Sequence, residues 1–120
     1  MSRADATPNG VTAGARDDVA LLHVVGEVDM SNSDDLRDRG AELLDGSPAL
    51  VLDLSQVTFF ASSGIAALAH LRSLGGDPGP QRVHVVASDA VRRSLEVTAM
   101  TTLLPLHPSV DDAVQAARAT

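Results

Sequence analysis

Three short apolar runs, separated by helical patterns, constrain the fold of this chain more than any other feature of its sequence. The runs are VALLHVV at 19–25, ALVLDL at 49–54 and VHVVA at 83–87. Strands that are apolar at consecutive positions, rather than at alternate ones, are typical of parallel sheets covered on both faces. The sequence therefore predicts an α/β fold in which helices pack against a buried sheet.

Two further segments predict weaker strands. Residues 103–106, LLPL, contain Pro105, which has no N–H to donate and therefore favours an edge position. Residues 11–15, VTAGA, shortly precede the first apolar run. They predict the opening strand of a hairpin, with ARDD as its turn.

Four other segments place apolar residues at helical spacing: 32–45, 63–74, 89–98 and 110–119. Serines near their starts predict N-caps, with Ser31 or Ser33 for the first helix, Ser88 for the third and Ser109 for the fourth. The element order is β-β-α-β-α-β-α-β-α. With right-handed crossovers, this order predicts an open mixed sheet of four to five strands, against which about four helices pack.

The length and composition suit a single domain. The chain has 120 residues, of which 44% are apolar but only 2% aromatic, so its core is expected to be aliphatic. Residues 1–9, MSRADATPN, are small and polar and lack the apolar segment of a signal peptide. They predict a flexible tail before a domain at 10–118.

Charge and residue usage exclude several classes of function. The formal net charge is −7 and all nine basic residues are Arg, without a cluster that could bind a phosphate backbone, so nucleic-acid binding is not expected. The chain has no Cys, which excludes disulfides and thiolate chemistry and fits a cytoplasmic protein. No apolar stretch approaches the roughly 20 residues that span a bilayer, so no membrane association is expected.

Residues 59–70, FFASSGIAALAH, place two serines where a predicted strand gives way to a predicted helix. Ser62 and Ser63 could cap the helix, attack a substrate or accept a phosphate. A helix N-terminus presents free N–H groups and a partial positive charge. A phosphate on a serine there would meet favourable electrostatics, which makes the position suitable for a reversible switch.

A serine hydrolase is disfavoured by the residues around this pair. The strained elbow G-x-S-x-G requires a glycine two positions before the nucleophile, and neither serine has one. His70 lies about two turns along the same helix from Ser63, too far to take its proton. His23 and His84 lie inside predicted strands, where a structural role is favoured. The acidic residues show no calcium-loop spacing, and the glycines form no phosphate loop, so no metal or cofactor is expected.

The combination of three segments resembles one family. GEVDMSNSDDL at 26–36, LVLDLSQVTFFASSGIAAL at 50–68 and the stretch from VHVVA to DDAVQAA at 83–117 resemble the STAS domain of bacterial anti-sigma factor antagonists. The resemblance covers roughly residues 10–118 with the order and spacing of that family.

This resemblance implies a regulatory function rather than catalysis. Ser63 matches the serine that is phosphorylated in the family, and the implied partner is an anti-sigma factor kinase of the histidine-kinase-like ATPase fold, which supplies ATP and magnesium. The unphosphorylated antagonist binds that kinase and frees a sigma factor, and a PPM-type phosphatase resets the phosphorylated form. The implied switch region comprises Asp29, Ala61, Ser62, Ser63, Gly64 and Ile65.

The chain departs from the family pattern at two positions. Ala61 stands where an Asp usually opens the D-S-S-G turn, and Ala99 stands where a Gly is common. Ser62 is then expected to cap the helix in place of the missing carboxylate. The loss of that carboxylate favours an alternative function, a STAS scaffold or sensor subunit that binds partners without being phosphorylated.

Overall fold

The computed structural model describes residues 10–76 and 81–119. The strands are β1 (Gly10–Arg16), β2 (Val19–Val28), β3 (Leu50–Phe60), β4 (Val83–Ala87) and β5 (Leu106–His107). The helices are α1 (Ser33–Asp45), α2 (Ser62–Leu74), α3 (Asp89–Val97) and α4 (Val110–Arg118). This order confirms the predicted one. The predicted tail at 1–9, and residues 77–80 of the loop, lie outside the described residues.

The strands form one mixed sheet in the order β1-β2-β3-β4-β5, in which only the β1–β2 pair is antiparallel. Asp17 and Asp18 make the predicted hairpin turn, with φ angles of 51° and 73°. Two-residue turns of this left-handed type match the twist of the strands that they join. β5 lies at the predicted edge, but it begins after Pro105 and has only two residues instead of the expected four.

Both faces of the sheet are covered, which explains why the strands are apolar at consecutive positions. In β2, Leu22 and Val24 point into the larger core with α1, α2 and α3. Val19 and Leu21 of the same strand point to a smaller cluster with α4. Three helices therefore lie on one face, and α4 lies on the other.

Helices α1, α2 and α3 each follow a parallel strand, so all three begin at the carboxyl edge of the sheet. In open α/β sheets, binding sites form at this edge. A Cβ built on Gly40 would lie 2.8 Å from Leu71 Cδ1, so α1 and α2 are in close contact. Their first turns are therefore neighbours.

The helix starts agree only partly with the predicted caps. Ser88 and Ser109 cap α3 and α4, and each hydroxyl accepts a backbone N–H at 3.1 Å. The prediction for α1 is wrong, because its cap residue is Asn32 and no side chain caps its N–H groups. The side-chain amide of Asn32 instead accepts the N–H of Asp29 and donates to the carbonyl of Glu27. These two bonds stabilise the turn before the helix.

The strand histidines are paired on the α4 face. Nδ1 of His23 lies 2.8 Å from the Asp53 carboxylate on the neighbouring strand. Nδ1 of His84 lies 3.0 Å from Nε2 of His107, whereas its own Nε2 is buried without a partner. Burial and the nearby His107 hold the pKa of His84 below its ordinary value.

Candidate functional site

The start of α2 is formed by Ala61, the last residue before the helix. Its extended backbone, with φ −80° and ψ 171°, is the conformation of an N-cap, but its methyl group cannot accept a hydrogen bond. The Ala61 carbonyl accepts the N–H groups of Gly64 and Ile65 at 2.9 and 3.3 Å. Ser62 is already the first helical residue, so the prediction that it caps the helix is wrong.

The two serines differ in exposure. Ser62 is exposed, whereas the Oγ of Ser63 is buried and has no hydrogen-bond partner. A buried hydroxyl without a partner is unfavourable, and such groups are uncommon in native structures. Among the described residues, Ser63 therefore stands out as a buried polar group at this edge that makes no hydrogen bond within the fold.

Ser63 is one of the residues that line the groove between α1 and α2. This groove, called here the Ser63 groove, has a volume of about 340 Å³ and is lined by Ser33, Asp34, Arg37, Ser63, Ala66, Ala67 and His70. The four α2 residues recur at three- and four-residue spacing and so form one helix face. Arg37 was not identified from the sequence. Its position four residues after Ser33 places both side chains on the same face of α1, and this spacing could have indicated it.

Ser62 faces a second groove on the opposite side of α2. This α2–α3 groove has a volume of about 390 Å³ and is lined by Thr58, Phe59, Phe60, Ser62, Ile65, Ala90, Arg93, Ser94, Val97 and Thr98. Its lining is mainly apolar, and Phe59 and Val97 are 53% and 81% exposed. Ser94, which also lines this groove, donates its hydroxyl to the Phe60 carbonyl at 2.8 Å. The sequence did not predict this groove, because its sides come from separate elements.

Gly64 and Ile65 seat the helix start on the sheet. A Cβ built on Gly64 would lie 2.8 Å from two ring atoms of Phe60 and 3.1 Å from Val28. Only a glycine therefore allows α2 to approach the end of β3 this closely. Ile65, which is 8% exposed, packs into the larger core.

Asp29 lies at the end of β2, beside this turn. Val28 pairs with Phe60, and its carbonyl accepts the Ala61 N–H at 2.9 Å, so Asp29 and Ala61 continue neighbouring strand ends. The Asp29 carboxylate accepts bonds from both the hydroxyl and the N–H of Ser31, and these bonds hold its pKa below the ordinary value. The structure thus places Asp29 at the same edge as the serines, as a carboxylate committed to its own turn.

Within the described residues, no histidine is arranged as a base beside either serine. His23 and His84 are engaged in strand pairs on the α4 face. His70 lines the Ser63 groove, but it lies about two helical turns from Ser63 along α2. Among residues 10–76 and 81–119, no group of three or more His, Cys, Asp or Glu side chains could hold a metal ion.

Comparison with known proteins places the chain in a family. The model of the STAS domain matches residues 11–113. The anti-sigma-F factor antagonist RsfA of Mycobacterium tuberculosis is 30% identical over 108 residues, which cover 83% of this chain and 80% of RsfA. None of the helices in the described part of the chain is long and apolar enough to cross a membrane.

Solved structures show the same fold. The crystal structure of an anti-sigma factor antagonist from Mycobacterium paratuberculosis superimposes with a TM-score of 0.79 at 33% identity, covering 98% of this chain and 99% of that one. The phosphorylated form of the Bacillus cell fate determinant SpoIIAA gives 0.63 at 14% identity, over 92% and 100% of the two chains. This chain therefore belongs to the STAS-domain family of anti-sigma factor antagonists.

Proposed function

We propose that this protein binds an anti-sigma factor kinase of the histidine-kinase-like ATPase fold, frees a sigma factor, and is switched by phosphorylation of Ser63. The observation that carries this proposal is the position of Ser63, whose hydroxyl has no partner in the first turn of α2. Family membership and the relatives' names support the antagonist role.

The burial of the Ser63 hydroxyl sets a condition on phosphorylation. The side chain must rotate outward to reach a kinase, and because Oγ has no partner, this rotation breaks no hydrogen bond. Once a phosphate is attached, the N-terminal end of α2 favours its charge. The start of α2 can therefore accommodate both the free and the phosphorylated Ser63 side chain. Phosphorylation nevertheless adds about two negative charges to the surface presented to a partner.

Phosphorylation of serine variants by the cognate kinase tests this assignment. Wild type and Ser62→Ala should be phosphorylated, and Ser63→Ala should not, with the site mapped by phosphopeptide analysis. Because Ser62 is exposed and directly adjacent, its variant is the matched control. Phosphorylation that persists in Ser63→Ala and is lost in Ser62→Ala would overturn the assignment.

Binding of the kinase provides a second measurement. Ser63→Glu should weaken the complex by about tenfold or more, because a charge buried in an interface without a partner is costly. Asp29, Ala61, Ser62, Gly64 and Ile65 are proposed to complete the contact region. Equal affinity of wild type and Ser63→Glu would contradict the proposed interface.

The charge distribution also favours protein partners over nucleic acid. In the described part of the chain, arginines form ion pairs with aspartates, including Arg16 with Asp111 at 2.6 Å and Arg39 with Asp35 at 3.2 Å. We therefore propose a cytoplasmic regulator that binds neither nucleic acid nor membranes, and that a PPM-type phosphatase resets. Sub-micromolar binding to duplex DNA at physiological salt would contradict this.

Ala61 favours a second candidate function, a STAS scaffold or sensor subunit that is never phosphorylated. Its methyl group leaves the turn before Ser63 without the carboxylate that opens the family motif. In that case the partner would bind wild type and Ser63→Ala equally well. No phosphate would appear on wild type or on Ala61→Asp.

A further inference from the structure

The Ser63 groove contains a cation whose present partners are weak. Arg37 lies on α1, and its guanidinium is 3.4 Å from the Asp34 carboxylate and 3.1 Å from that of Asp38. Both aspartates are near neighbours of Arg37 on the same helix and are largely exposed, and such surface pairs contribute little to stability. Arg37 can therefore exchange them for a stronger anion.

We propose that Arg37 is the receptor for the phosphate on Ser63, so that the phosphorylated side chain turns into the groove and links α2 to α1. This inference rests on the proposed function, in which Ser63 is the phosphoacceptor. During transfer, the Ser63 oxygen attacks the γ-phosphorus of ATP and the bond from that phosphorus to the β,γ-bridging oxygen breaks. ADP leaves, and the hydroxyl proton passes to a base of the kinase.

The geometry of the groove supports this receptor. Ser63 and Arg37 line the same groove from opposite helices, and because the Ser63 hydroxyl has no partner, turning it into the groove breaks no hydrogen bond. The cavity of about 340 Å³ exceeds by far the roughly 30 Å³ that one water molecule occupies in the liquid, so it has room for a phosphate group. Both helices also begin at this edge, and their N-terminal ends add to the attraction.

Arg37 binds a phosphate better than it binds its carboxylates. A guanidinium can donate two parallel hydrogen bonds to a phosphate, and the dianion carries more charge than a carboxylate. Asp34 and His70 are the other ionisable side chains that line the cavity. Asp34 opposes the phosphate, and the guanidinium of Arg37 offsets this repulsion.

The receptor gives the switch a defined inward state. A phosphate held by Arg37 has a fixed position beside the partner surface, where its charge opposes the partner, and it is less accessible to a phosphatase. Loss of Arg37 should therefore leave the phosphate in solvent. Its second pKa would then approach that of free phosphoserine.

The test uses phosphoserine incorporated at position 63 during translation, so that no kinase is required. Phosphorus NMR then measures the second pKa of the phosphate in wild type, Arg37→Gln and Arg37→Lys. We expect the pKa in Arg37→Gln to be about one unit higher than in wild type, because an adjacent cation favours the dianion. Arg37→Lys should lie between them, since it keeps the charge but loses the paired hydrogen bonds.

A matched control comes from phosphoserine placed at position 62, which lines the other groove. Its pKa should not change with Arg37→Gln. Removal of the phosphate from position 63 by alkaline phosphatase should be several-fold faster in Arg37→Gln, with thermal melts confirming that both proteins are folded. A pKa at position 63 that is the same with and without Arg37 would overturn the receptor. Failure of the cognate kinase to modify Ser63 would instead overturn the proposed function, without affecting this measurement.

Discussion

The starts of α2 and α3 have the same backbone but different chemistry. Ala61 and Ser88 both precede their helices in an extended conformation, with φ −80° and −74° and with ψ 171° in each. The Ser88 hydroxyl accepts the Val91 N–H at 3.1 Å, whereas no side chain caps α2. Both helices follow parallel strands of the same sheet and begin at the same edge. The difference therefore comes from one side chain and not from the local fold.

This difference shows that tertiary packing fixes the start of α2. Gly64 brings the helix against Phe60 and Val28, and Ile65 enters the core, so the missing cap does not prevent the helix from starting at Ser62. The helix lacks about 1 kcal/mol that a capping side chain supplies. That deficit lies beside the proposed phosphoacceptor, where a helix turn that opens easily would help Ser63 to rotate outward.

Removing the close approach at Gly64 should have the largest effect. Gly64→Val should lower the free energy of unfolding by about 1–3 kcal/mol, because its Cβ would overlap the Phe60 ring. Gly14→Val is the control, since a Cβ at Gly14 meets nothing within 4 Å. Urea denaturation measures both. A Gly64→Val protein as stable as wild type would show that packing does not fix this helix start.

Removing the cap of α3 should have a smaller effect. Ser88→Ala should lower the free energy of unfolding by about 1 kcal/mol, because the Val91 N–H loses its acceptor. Ser62→Ala should change stability by less than about 0.5 kcal/mol, since Ser62 is exposed and makes no cap bond. Equal losses in the two variants would remove the distinction between the two helix starts.

Supplying the missing cap of α2 should make its start similar to that of α3. Ala61→Asp should raise the free energy of unfolding by about 0.5–1 kcal/mol, because its carboxylate can accept N–H groups of the first turn. The nearby Asp29 carboxylate opposes the added charge and keeps the gain small. Thermal or urea melts measure this change.

The same substitution should also speed phosphorylation, because a capped turn orients the Ser63 hydroxyl. Ala61→Asn separates the two contributions, since it can cap without adding charge. If Asn stabilises the protein but only Asp speeds the kinase, the carboxylate acts on the phosphoryl transfer. Fast phosphorylation of wild type that neither variant changes would show that Ala61 is neutral.

A substitution at the end of α3 should have the smallest effect on stability. Ala99 has a φ of 58°, and the N–H groups of Ala99 and Met100 bond to the carbonyls of Glu96 and Leu95 at 3.1 and 2.7 Å. This Schellman motif favours glycine at the left-handed position. Ala99→Gly should therefore raise the free energy of unfolding by about 0.5 kcal/mol. The substitution relieves the left-handed strain, but the greater flexibility of glycine in the unfolded chain cancels part of this gain.

A control for this last change is Ala119→Gly, which lies at the end of α4 with a right-handed φ of −81°. There the glycine relieves no strain and should slightly destabilise the protein. If the two substitutions have the same effect on the melting temperature, the left-handed strain at Ala99 is not significant.

The sequence by itself determined the order of the elements, the sheet, and the presence of a helix at the serine pair. Consecutive apolar residues indicate a strand that is buried on both faces. A serine just before a helical pattern indicates an N-cap, so the caps at Ser88 and Ser109 could be predicted from local sequence alone. The Ser62 cap was predicted wrongly because one residue of shift separates a cap from a first helical position. Local pattern does not resolve that shift.

Only the tertiary structure decided what surrounds Ser63. Its burial and the Ser63 groove arise where α1 packs on α2, about 30 residues away along the chain, through the close approach of Leu71 to Gly40. The Arg82 guanidinium likewise donates to the carbonyls of Leu44 and Ser47, at 2.7 Å each, and holds the end of α1 from 35 or more residues away. Such contacts depend on the crossing of distant elements, and periodicity within one segment carries no information about them.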